Sequence, residues 1–193
     1  MKLFHGSGNI TLDHFEFNFN SSNSFDFGKG VYFTSNFDKA KVWSCTESGE
    51  GAVYEIDIDF PSSGLSVKSF TKSEDDLYYL FYICRIGMAE LASDFIDNFD
   101  EYDVITGPVL RGKKNASMDR YKDMAECFNE GDIAFEELRK NTRLSSEDFD
   151  QWCFKSKKAF DYINVKLSKR YIVRRRYDIL EEFDFKAGKG GDE

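Results

Sequence analysis

The chain has 193 residues, with 35 acidic against 26 basic side chains, a net charge of −9, and 20 Phe and 10 Tyr. That length fits one domain with a substantial core, and the acidic balance argues against nucleic-acid binding spread over the whole surface. Four widely spaced cysteines, with no Cys-x-x-Cys pair, suggest neither a metal site nor a dense disulfide framework and fit a reducing cytoplasm; no stretch approaches the ~20 apolar residues of a membrane span, and MKLFHGSGN lacks an apolar leader core.

In chain order, Leu3 and Phe4 end a first strand near 2–5, and His5-Gly6-Ser7-Gly8 turns off it with its backbone donors exposed. Gly6 and Gly8 carry no Cβ, so a ligand can approach the backbone there, and the imidazole of His5 can bond a ribose hydroxyl. Gly28 and Gly30 release a strand over 30–34, with Val31 and Phe33 on one face and Tyr32 on the other, an edge suited to a flat ring. Residues 36–43 have helical spacing behind a Ser35 or Asn36 cap. Trp43, near the end of that helix, can fold back toward Tyr32, and Lys39 reads as a lysine on a solvated helix face.

Strands follow near 52–59 and 64–68, then a helix from about Ser73 to Ile86, buried over Leu77–Cys84 and opened by an acidic, capped start. The segment from Gly87 to Ile96 reads as a second helix before a strand over Tyr102–Thr106. Helical spacing of Met118, Tyr121, Met124, Ala125 and Phe128 resumes after Gly131 with Ile133, Phe135 and Leu138. A strand at 151–155, a helix at 156–163 and a strand at 166–177 close the order, with residues 1–185 as one domain and 186–193 as a disordered tail. The last strand holds Lys166, Lys169, Arg170, Arg174, Arg175 and Arg176, a pattern served equally by a protected sheet edge and by an anion-binding face.

HGSG followed by FGKGVYFT, with Tyr32 and Trp43 at their spacing, resembles the diphtheria-toxin-like branch of ADP-ribosyltransferases, which includes the poly(ADP-ribose) polymerases. Within that clan the chain is most similar to a bacterial family of ADP-ribosyltransferase-like domains with no assigned function. VYEIDID at 53–59, YDVITGPV at 102–109 and QWCFKSKKAF at 151–160 extend the likeness over most of residues 2–160. The resemblance implies an α+β fold with a split, mostly antiparallel sheet, peripheral helices and a cleft for NAD.

It also implies roles for single residues. His5 would bond the 2′-hydroxyl of the nicotinamide ribose, Gly6 would hold the carboxamide through its backbone beside Ser7 and Gly30, and Tyr32 and Trp43 would flank the nicotinamide ring. The third signature position, usually Glu, falls on Gln151. A neutral amide orients a hydroxyl without offering charge or a base, so the sequence predicts slow NAD cleavage that Gln151→Glu retains or raises and Gln151→Ala abolishes. Where the family carries acidic residues after YDVITGPV, this chain has Leu110-Arg111-Gly112-Lys113-Lys114; Asp103, Asp148 and Asp150 remain as nearby carboxylates.

The expected activity is transfer of ADP-ribose from NAD, as co-substrate and without a metal, to an unknown protein or nucleic-acid acceptor. The clan adds the expectation of a cytoplasmic toxin or effector held by a neutralising partner protein. NAD hydrolysis, or binding of NAD or ADP-ribose without catalysis, are the alternatives. No Gly-x-Gly-x-x-Gly turn is present for the adenosine end.

Overall fold

The computed structural model describes residues 1–17, 25–44, 49–112, 117–144, 149–174 and 179–185, and its chain forms two four-stranded sheets, joined among the described residues by one backbone bridge. The first sheet is antiparallel throughout, in the order β1 (Lys2–Ser7), β3 (Glu50–Asp57), β9 (Leu167–Arg174), β10 (Ile179–Asp184). The second runs β2 (Val31–Phe33), β8 (Asp150–Phe154), β5 (Val104–Pro108), β4 (Val67–Ser69), antiparallel except for the β4–β5 pair. The protein is thus of mixed α+β class.

Between the sheets, Phe4 N–H donates to the Thr34 carbonyl at 2.8 Å and Thr34 N–H to the Phe4 carbonyl at 2.9 Å. An antiparallel ladder continued from that bridge would next pair Gly6 with Tyr32. Instead the side chain of His5 takes the Tyr32 carbonyl, at 2.7 Å from Nδ1, and the ladder stops. The sheets separate there, beside the residues that the sequence singles out.

Helix α1 (Phe37–Ser44) follows β2 directly, capped by Asn36, whose Oδ1 accepts from Lys39 N–H at 2.8 Å. Phe37 wedges it onto the first sheet between Phe4 and Tyr171, with ring centroids 5.1 and 4.9 Å away. Helix α3 (Asp75–Arg85) is buried from Leu77 to Cys84 and backs the second sheet with α4 (Met118–Asn129) and α5 (Phe135–Asn141) packed on it. Its N-cap is Glu74, which makes no side-chain capping bond. Tyr54 and Ile56 of the first sheet, Phe33 and Phe154 of the second and Ile163 of α6 (Lys157–Lys166) share one hydrophobic core.

Several elements differ from the sequence expectation. Residues 89–94 form a 3-10 helix, because Gly87 takes φ +81° and ends the preceding helix before a regular turn can restart. A short helix α2 (Phe60–Ser63), a ribbon of β6 (Leu110–Gly112) with β7 (Thr142–Leu144), and β10 add to the predicted order. The described cations of β9 include Lys169, paired with Glu182, and Arg174, 3.2 Å from Glu50, so these two act in cross-strand pairs; Arg175, Arg176 and the tail 186–193 lie outside the described residues. Among the described residues no helix is long and apolar enough to cross a membrane.

Candidate functional site

Where the sheets part, a cavity of about 660 Å³ is lined by His5, Gly6, Ser7, Gly30, Tyr32, Trp43 and Gln151. The residues to which the resemblance gives a binding or catalytic role therefore line one space. Four separate elements or turns supply them: β1, the approach to β2 with β2 itself, α1 and β8.

The glycines are explained by the chain's own packing. A Cβ on Gly6 would lie 2.1 Å from the Ala40 carbonyl oxygen and 2.7 Å from Ser44 N, so the bare backbone lets α1 settle on β1 and brings Trp43 to the rim. On Gly30 a Cβ would meet Cys153 Sγ at 2.5 Å and the Phe154 oxygen at 2.6 Å. Both glycines serve element packing first; approach of a ligand comes in addition.

His5 is half-buried, edge-on to Phe15 with centroids 5.1 Å apart. Burial lowers its pKa to about 4 against the opposing bond to the Tyr32 carbonyl, so the ring is neutral near pH 7. Since a carbonyl only accepts, Nδ1 carries the proton and Nε2 carries the lone pair. His5 is therefore a hydrogen-bond acceptor at the cavity wall.

Tyr32 uses its hydroxyl locally, accepting from Phe27 N–H at 3.0 Å and donating to the Gly28 carbonyl at 2.7 Å. Burial, reinforced by Cys153, Cys84 and Asp26, pushes that hydroxyl far above its ordinary pKa, which leaves the ring face as its usable part. Phe25, 40% exposed, packs on it at 5.0 Å and 38°, a third cavity aromatic absent from the sequence reading. Behind it Cys153 is fully buried and its thiol is pushed up to about 12 by desolvation, while Cys84 rises further still; neither thiol is a nucleophile at neutral pH.

Lys39 corrects the expectation of a solvated face. It is 8% exposed, lines the cavity, and carries Nζ 4.6 Å from the Phe149 ring centre and 5.9 Å from that of Trp43. Arg85 from the end of α3 and Arg111 from β6 add two further cations to the wall. In a chain of net charge −9, the described lining residues carry three cations, Lys39, Arg85 and Arg111, against one carboxylate, Asp26.

Gln151 is 4% exposed, and its Nε2 donates to Asp26 Oδ2 at 2.7 Å and to the Pro108 carbonyl at 3.1 Å. Asp26 is 3% exposed and was missed in the sequence, where it is one of many acids; its only local signal is a charge set between two phenylalanines ahead of the glycine turn. The other nearby carboxylates hold the fold. Asp150 accepts from the Thr34 and Ser35 hydroxyls, Ser35 N–H and Trp152 Nε1, on the face opposite Gln151. Burial of Asp103 is outweighed by bonds from Ser156, Ser66 and Lys158, which hold its carboxyl below the usual range. Asp148 lies outside the described residues.

A family described as a protein of unknown function (DUF3990) matches residues 1–165, a span that contains the described residues lining the cavity and stops short of β9. No curated protein and no solved structure matches the chain. With more than four-fifths of its length inside that match, the chain belongs to the DUF3990 family.

Proposed function

We propose that the chain has an ADP-ribosyltransferase fold, binds NAD in the cavity between its sheets and transfers ADP-ribose to a protein or nucleic-acid acceptor. The observation that carries this reading is the convergence of His5, Gly6, Tyr32, Trp43 and Gln151, distant in sequence, on one cavity of ligand size. Aromatic rings suit a nicotinamide, the neutral His5 suits a ribose hydroxyl, and Lys39, Arg85 and Arg111 suit a pyrophosphate. In the reaction the C1′–N bond breaks with its electron pair passing to the nicotinamide nitrogen. The acceptor's nucleophile then bonds C1′ and releases its proton to solvent.

The test is incubation with NAD labelled in its adenylate phosphate, with and without cell lysate. Label retained on a macromolecule is the expected result; the absence of both binding and turnover overturns the reading. Asp26, the carboxylate among the described lining residues, already accepts from Arg85, Leu110 and Gln151, which favours binding without cleavage as the second reading. Calorimetry separates that case. Tyr32→Ala is expected to weaken NAD binding by about 1–3 kcal/mol through loss of the stacked ring, whereas Tyr32→Phe, which keeps the ring, stays close to wild type. Unchanged affinity in a folded Tyr32→Ala protein would put the nicotinamide elsewhere.

A further inference from the structure

Both hydrogens of the Gln151 amide are committed, one to Asp26 Oδ2 and one to the Pro108 carbonyl. Neither partner can donate, so the nitrogen end must face them and Oε1 is the end left over. Asp26 in turn meets donors alone: Arg85 Nη2 at 2.5 Å on Oδ1, and Leu110 N–H at 3.2 Å on Oδ2 beside Gln151. The chain 85–26–151 joins α3, the approach to β2 and β8 at the cavity wall.

We propose that Asp26 is the positioning residue of this site: it locks the Gln151 amide with Oε1 free to accept a ligand hydroxyl, and it makes glutamine the residue that position 151 requires. The choice of a ribose hydroxyl as the ligand group rests on the NAD reading above. The lock itself does not.

This reverses the effect expected for Gln151→Glu. The new carboxylate would stand within hydrogen-bond distance of Asp26, and two carboxylates so placed cannot both ionise, so the pair keeps a proton with a raised apparent pKa. The other titratable or charged groups that face Asp26 are the Arg85 guanidinium and Cys84 thiol from α3 and the Tyr32 hydroxyl from β2, with Lys39 and Arg111 on the same wall. A pKa raised in the folded state gives stability that is present at low pH and lost as pH rises through the folded value. The Pro108 carbonyl also opposes the introduced carboxylate, but it does not titrate.

The experiment is a melting series from pH 5 to pH 8 on wild type, Gln151→Glu, Asp26→Asn and Asp26→Asn/Gln151→Glu. Gln151→Glu should lose ~4 °C or more over that range beyond any change in wild type, which corresponds to a carboxyl raised by about 1.7 pKa units or more in a chain of this size. In the double variant that slope disappears. An equal slope in all four proteins overturns the lock. Should Gln151→Glu fail to fold, the side-chain amide resonances of Gln151, assigned by their absence in Gln151→Leu, serve instead: they shift on Asp26→Asn if the lock exists and stay in place if it does not. NAD titration supplies the ligand arm. Asp26→Asn should weaken binding on the order of 10-fold, as for one charge-assisted hydrogen bond, and unchanged affinity overturns the positioning role. A wild-type protein that binds no NAD overturns the functional reading, while the melting slopes and amide resonances still judge the lock.

Discussion

Gly6→Ala is expected to destabilise the protein by about 3 kcal/mol or more and to abolish ligand binding even where the chain stays folded. The added Cβ would stand 2.1 Å from a backbone oxygen of α1 and 2.7 Å from a backbone nitrogen, and no side-chain rotation relieves either contact. The helix must lift off β1. Lifting it strips Phe37 from its place between Phe4 and Tyr171 and carries Lys39 and Trp43 away from the cavity wall. Gly131→Ala provides the contrast, since its Cβ would meet nothing within 4 Å and only its φ of +80° resists substitution, a cost of about 1–2 kcal/mol. Urea midpoints for the two variants measure the difference. A Gly6→Ala loss no greater than that of Gly131→Ala would mean that α1 is not seated on β1 as described.

Much of this arrangement is legible in the sequence because it is locally encoded. The Asn36 cap, the strand alternation around Tyr32 and the unbroken apolar stretch Leu77–Cys84 each act within a few residues, and each forms the expected element. Phe25 and Asp26 sit next to the motif and were still overlooked, since their roles depend on what they touch. The Asp26–Arg85 pair closes over 59 positions and the Gln151–Asp26 bond over 125, separations at which one sequence carries no pairing signal. Lys39 departs from its expected solvated face for a related reason: helical spacing locates a side chain on a helix, but only the position of Phe149 decides whether that face is covered. Glycine reads ambiguously in the same way. Gly6 reads as an opening for a ligand and Gly30 as the release of a strand, and the space they leave is largely filled by Ala40, Ser44 and Phe154 backbone and by Cys153.

The division of labour in the cavity follows from these contacts. The Tyr32 hydroxyl and the Asp26 carboxylate are engaged with the protein itself, and the Cys153 thiol lies buried behind the cavity wall. What a ligand meets is two acceptors, His5 Nε2 and Gln151 Oε1, the Ser7 hydroxyl, the rings of Phe25, Tyr32 and Trp43, and a basic rim. Such a wall holds a sugar by its hydroxyls and an anion by its charge, and it contributes to bond cleavage by orientation more than by proton transfer.

His5 is expected to titrate near pH 4 and to govern the acid stability of the fold. Its imidazole is desolvated at the seam between the sheets, and protonation would add charge without adding a partner, since Nδ1–H already serves the Tyr32 carbonyl. The unfolded chain takes up the same proton near pH 6.5. Between those two values the unfolded state holds more protons, so stability rises with pH across the window and is level above it. Acidification from pH 7 to pH 4 should therefore cost roughly 2–3 kcal/mol through this one residue, allowing for its partial exposure. His5→Asn removes that dependence, and the difference between the two urea-unfolding profiles isolates it. The ring's Cε1–H resonance, followed by NMR, reports the pKa directly. If the NAD reading holds, affinity stays level from pH 8 to pH 5, because the acceptor Nε2 keeps its lone pair throughout. A midpoint near 6.5 in the resonance would place His5 in water, and the seam would then be held without its bond to the Tyr32 carbonyl.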